Sequence, residues 1–128
     1  MERLQVVYAE WAKGNFHAGL DLLDPAVVFR AFDAFEDEDL KCRGPEAIAD
    51  FLRQFLHQWD DLRIEAKEFT PAGERVLVEC RQSAIGKRSG AQVDMDIFAI
   101  WTFREGRVTE IRWLRNRGKA LDAAGLKE

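Results

Sequence analysis

Asp94-Met95-Asp96-Ile97-Phe98-Ala99-Ile100-Trp101-Thr102-Phe103-Arg104-Glu105-Gly106-Arg107-Val108-Thr109-Glu110-Ile111-Arg112-Trp113-Leu114 is the stretch on which the fold turns. Apolar, aromatic and β-branched residues crowd both sides of Glu105-Gly106, a pair suited to a tight hairpin turn. The pattern predicts a long strand over 92–103 and a last strand over 108–115, paired antiparallel.

Working outward, the preceding segments also read as strands. Leu62 to Phe69 forms one, turned by Pro71-Ala72-Gly73, and Arg75 to Ser83 the next, ending in Gly86-Lys87-Arg88-Ser89-Gly90. Before them stands the clearest helix. Gly44-Pro45-Glu46 places proline at the first helical position and an acid in the first turn. Ile48, Phe51, Leu52, Phe55, Leu56 and Trp59 then follow helical spacing. Leu4, Val7, Tyr8 and Trp11 mark an earlier helix that Lys13-Gly14-Asn15 ends. Phe16, Leu20 and Leu23 suggest a second, shorter one closed by Asp24-Pro25. Val27-Val28-Phe29 opens a first strand through Phe32, followed by a loop dense in acid: Asp33, Glu36, Asp37, Glu38 and Asp39. Ala120 to Leu126 reads as a short tail helix. Helices that precede an antiparallel sheet must cover one of its faces, so the predicted class is α+β.

Length and composition narrow the functions. The chain has 128 residues, one domain's worth over 1–128, with 47% hydrophobic and 33% charged residues. Its net charge of −4 offers nucleic acid no basic surface. No apolar run is long enough to span a membrane, and Met1-Glu2-Arg3-Leu4-Gln5 is not a signal peptide. Cys42 and Cys80 suggest no disulfide framework, so reduced thiols and a cytoplasmic location are expected. His17 and His57 have no carboxylate at ligand spacing, and neither metal nor cofactor is expected.

Several segments together resemble the SnoaL-like proteins, a branch of the nuclear-transport-factor-2-like superfamily. They are Tyr8-Ala9-Glu10-Trp11-Ala12-Lys13-Gly14-Asn15-Phe16, Leu22-Leu23-Asp24-Pro25, Gly44-Pro45-Glu46-Ala47-Ile48, Trp101 to Val108, and Ala120 to Leu126. The resemblance implies a cone: a curved antiparallel sheet wrapped around helices, with a pocket between them. It does not fix a function, because the fold hosts isomerases, cyclases, hydrolases and non-enzymes. Ketosteroid isomerase, a relative by fold, works with a carboxylate base, a neutral acid and a tyrosine. The resemblance places Arg30 at the position of its base and Ala99 at that of its acid. The tyrosine's position falls on Val7, with Tyr8 one residue away. The isomerase set is therefore not reproduced.

Strand alternation completes the expected wall. It puts Val28, Arg30 and Phe32 inward on the first strand, Ile97, Ala99, Trp101 and Phe103 on the long one, and Ile111, Trp113 and Arg115 on the last. Tyr8, Trp11, Phe55 and Trp59 join them from the helices. Asp96 falls outside unless a bulge turns it in, and Arg30, Tyr8 and Asp96 are the candidate catalytic groups. Arg30 reads either as the cavity's fixed cation or as a rim residue paired with the acidic loop. Three functions stay open: a binder of a small, mostly apolar molecule, an enzyme of isomerase, polyketide-cyclase or hydrolase type, and an interaction module using the outer sheet face. A homodimer through that face is expected, with Asp94, Phe98, Ile100, Arg112 and Leu114 in the contact.

Overall fold

The computed structural model describes residues 2–15, 18–32 and 40–126, the side chains of Phe32 and Leu40 excepted. Phe16, His17 and the acidic run from Asp33 to Asp39, all singled out above, lie outside the described residues. Helix α1 (Glu2–Ala12) leads through a single 3-10 turn at Leu20–Leu22 into β1 (Leu23–Phe32), then β2 (Leu40–Arg43) and α2 (Pro45–His57). Four strands follow, β3 (Trp59–Ala72), β4 (Arg75–Gly86), β5 (Gln92–Arg104) and β6 (Arg107–Leu114), and α3 (Arg117–Ala124) closes the order. The α+β class stands, with one difference. The sheet, ordered β2-β1-β6-β5-β4-β3, is mixed, because β1 lies beside the last strand and runs parallel to it. Where a second helix was expected, the described residues hold only the 3-10 turn. Gly19 before it has φ of 97°, and its bare Cα faces Val7, whose methyl carbons would lie 3.1 Å from any Cβ placed there.

Two apolar layers hold the sheet. Its inner face packs on α1 and α2 through Leu4, Val7, Trp11, Phe29, Ile48, Val78, Trp101 and Trp113, all buried. Its outer face carries a second cluster in which Leu77, Phe98, Ile100 and Leu114 meet Ala120, Leu121 and Ala124 of α3. This corrects the expected dimer face, since the chain's own last helix fills the apolar part. Asn116 caps α3 by accepting from the backbone N–H of Lys119 at 2.9 Å.

The β5–β6 hairpin turns through Glu105 and Gly106, whose φ values of 52° and 81° match the twist of the strands they join. Phe103 pairs with Val108 but Thr102 with Glu110, so Thr109 is an extra residue, a bulge. The bulge lets Val108 and Ile111, three apart, both face the inner core. α2 begins on Gly44, which has φ of 90°, and the Gly44 N–H donates to the Val27 carbonyl at 2.7 Å. That bond ties the helix start to β1 and aims Ile48, Leu52 and Phe55 into the cone.

Candidate functional site

Among the described residues, three small apolar hollows lie inside the cone, of about 20, 10 and 10 Å³. Each has room for about one water molecule. The first is lined by α1, the Gly19 turn, β1, α2 and the last two strands, through Trp11, Phe29, Ile48, Leu52, Trp101 and Trp113 among others. The second lies under α2 against Phe55, Leu56, Leu62 and Ile64. The third opens on Tyr8, Cys80, Gln82, Ile97 and Ala99. Trp11 and Trp113 line all three. The indoles therefore act as partitions in what would otherwise be one space. Trp11 is pinned by its Nε1–H, which donates to the Ala18 carbonyl at 3.0 Å.

The third hollow holds the polar chemistry. Trp101 Nε1 donates to the Tyr8 hydroxyl at 2.9 Å, and the Cys80 thiol lies beside that hydroxyl. Burial, with Cys80 beside it, raises the Tyr8 pKa well above its ordinary value. Burial likewise pushes the Cys80 thiol up to about 12. Both groups stay protonated at neutral pH, so neither serves as a base or a nucleophile. Two residues along β4, Gln82 faces the same way and is 4% exposed, with no hydrogen bond to another described residue.

The structure distributes the expected wall residues unevenly. Tyr8, Trp11, Phe55, Ile97, Ala99, Trp101 and Trp113 line the hollows. Phe103 packs at the edge of the inner core, and Trp59 opens β3 with its ring 6.2 Å from Phe55; neither reaches a hollow. Arg115 follows the end of β6 and is exposed. β1 faces opposite to expectation, since Val27, Phe29 and Ala31 are buried in the inner core. Parallel pairing sets this facing, because Phe29 sits beside Ile111 and Ala31 beside Trp113.

Val28 and Arg30 therefore look outward and are not cavity residues. Arg30 Nε lies 3.7 Å from Glu110 Oε2, while Arg112 Nε donates to Glu110 Oε1 at 2.8 Å. One carboxylate thus faces two arginines on the outer face: it hydrogen-bonds Arg112, while the Arg30 Nε is held only as an ion pair and has no hydrogen-bond partner among the described residues. Asp96 is also outside, accepting from Arg81 at 3.0 Å. Among the described residues lining the hollows there is no carboxylate. No described group of three or more His, Cys, Asp or Glu could hold a metal ion.

Sequence and fold comparisons agree with this geometry. The SnoaL-like domain family matches residues 4–111. The chain belongs to the SnoaL-like family. No curated protein matches its sequence. Among solved structures, the SnoaL-like chain superposes on a nuclear-transport-factor-2-like protein of Burkholderia thailandensis E264 at a TM-score of 0.80, with 16% identity, 98% of this chain and 96% of that one covered. A protein of ketosteroid-isomerase-like fold from Catenulispora acidiphila, in complex with trimethylamine, gives 0.76 at 15% identity over 98% and 94%. TerC, co-crystallised with polyporic acid, gives 0.75 at 20% identity over 97% and 96%. At these identities the likeness is one of fold.

Of the strand residues that line the hollows, sequence reasoning left Leu23, Phe29, Leu62, Ile64, Cys80 and Gln82 out of the wall, and it likewise left out Ile48, Leu52 and Leu56 of α2 and the turn at Ala18 to Leu20. The strand residues lie on β1, β3 or β4. For β4 the signal was present, because Val76, Val78 and Cys80 alternate and Gln82 continues their row.

Proposed function

We propose that this SnoaL-like chain binds a small, mostly apolar molecule in its cone. The observation that carries the reading is the group of hollows that share Trp11 and Trp113 as walls, with Leu52 between the first two and Ile64 between the second and third. A well-packed core interdigitates and leaves few voids. Here three lie next to one another, apolar over most of their walls and polar at one end, as in a ligand site. Each is too small for a ligand while the indoles stand between them. Movement of Trp11 away from Ala18 would open the first hollow toward the third, at the loss of its hydrogen bond to the Ala18 carbonyl and of its ring contacts with Tyr8 and Trp101. The solved relatives that hold trimethylamine or polyporic acid support a small-molecule site in proteins of this fold.

Native mass spectrometry of the protein purified without denaturation tests the reading, with a bound small molecule released on unfolding as the expected result. A protein that arrives empty and takes up no naphthalene, an apolar two-ring probe, argues against it.

A homodimer remains part of the proposal, now through the part of the outer face that α3 leaves open. Arg30, Glu110, Arg112, Arg81 and Asp96 give that surface both charge signs, as a self-complementary two-fold contact requires. Light scattering at micromolar concentration should report twice the chain mass, and a monomer mass would remove the dimer.

A further inference from the structure

We infer that Gln82 is the specificity determinant of the cone, and that it selects ligands whose apolar ring system carries a neutral oxygen, a hydroxyl or carbonyl, at one end. The inference rests on the pocket reading above and deepens it. Gln82 is the only buried polar or charged residue among those described, at 4% exposure, if the tyrosine and cysteine are counted with the apolar core. It belongs to the inward row of β4, between Cys80 and Ala84, and pairs across the ladder with Met95. An amide brings two donors and one acceptor oxygen into an apolar space. Buried without partners, such a group destabilises a fold, so a core position of this kind favours leucine or methionine.

The neighbouring polar groups are already engaged. Trp101 donates to Tyr8, and the Cys80 thiol beside it reaches the Val78 carbonyl at 3.7 Å. Trp101, Tyr8 and Cys80 thus each already hold a hydrogen-bond partner along one wall. Gln82, on the same hollow, keeps its hydrogen-bonding capacity for whatever enters. The amide both donates and accepts, so it suits a hydroxyl, which needs both, or a carbonyl, which needs a donor. It carries no charge to offset a carboxylate placed in so apolar a space.

The test compares naphthalene, 2-naphthol and 2-naphthoate by calorimetry, on the wild-type chain and on Gln82→Met, which keeps the volume and removes the amide. Wild type should bind 2-naphthol more tightly than naphthalene by roughly tenfold, the scale of one well-made hydrogen bond, and 2-naphthoate least. Gln82→Met should abolish the preference for 2-naphthol and leave naphthalene binding within about twofold. Its unliganded melting temperature should hold, because Gln82 makes no side-chain hydrogen bond to a described residue that the substitution would break.

A melting temperature that drops by several degrees assigns Gln82 a structural bond instead and overturns the inference. So does a naphthol preference that survives in Gln82→Met, or a wild type that prefers naphthoate. In each of those cases naphthalene still binds and the pocket reading stands. If none of the three probes binds, the pocket reading fails and takes this inference with it.

Discussion

Tyr8 and Cys80 set a pH limit that belongs to single residues. Cys80 titrates from 9.0 when exposed to about 12 in the fold, and Tyr8 from 10.0 to well above it. Raised acids stabilise the fold fully below their unfolded pKa and lose that contribution as pH climbs toward the folded one. Stability should therefore be flat through pH 8 and decline between 9 and 12, by up to about 1.4 kcal/mol per pH unit for each group. Urea melts across that range check this, and Cys80→Ala should flatten the first part of the decline. Arg30 makes the opposite point, that a residue's facing is harder to read than its type. Val27, Phe29 and Ala31 form the uncharged row of β1, and Val28, Arg30 and Phe32 the row with the cation. Burial favours the uncharged row, and the structure follows that rule. Registering the strand on the isomerase's base led away from it. Arg30→Met should leave naphthalene and 2-naphthol affinities unchanged in calorimetry and cost at most about 1 kcal/mol of stability, since its partner Glu110 keeps Arg112.

At the scale of elements, local sequence signals held where they were strong. Gly44-Pro45-Glu46 and the apolar stripe behind it gave α2 to within a few residues, and Glu105-Gly106 gave the hairpin. β2 escaped notice because Leu40-Lys41-Cys42-Arg43 is four residues long and exists only by pairing with β1. The parallel seam between β1 and β6 was also illegible. It joins residues about eighty positions apart, and no local pattern encodes such a pairing. Two substitutions probe the elements. Gly44→Ala should destabilise the fold by about 1 kcal/mol or more in urea melts, because φ of 90° strains any side chain even though the nearest atom to a new Cβ, the Pro25 carbonyl oxygen, is 3.7 Å away. Leu121→Ala should cost about 2–5 kcal/mol, since Leu121 anchors α3 to the buried outer cluster of Phe98, Ile100 and Leu114. If Leu121→Ala were instead neutral, α3 would not be the cover of that face.

For the whole molecule, the sheet is a wall with two uses. Its outer face is shielded partly by α3 and partly by ion pairs, and among the described residues its inner face encloses three small hollows and the Gln82 amide, which has no hydrogen bond to another described side chain or carbonyl. Pattern alone yielded the α+β class, and the resemblance to the SnoaL-like proteins added the cone and most of its aromatic lining. They did not yield its emptiness, because voids arise from how Trp11, Trp113 and Leu52 fail to fill the space between helix and sheet. No described helix is long and apolar enough to cross a membrane.

The central claim, that the cone admits a small apolar molecule, is tested most directly by the four tryptophan indole signals in a ¹H–¹⁵N spectrum during a naphthalene titration. Trp11, Trp101 and Trp113 line the hollows, whereas Trp59 does not. The expected result is a saturable shift of the first three signals, largest for Trp11 as its bond to Ala18 is released, with Trp59 moving least. Indole signals that stay in place up to the solubility limit of naphthalene would contradict the claim, and so would a shift confined to Trp59.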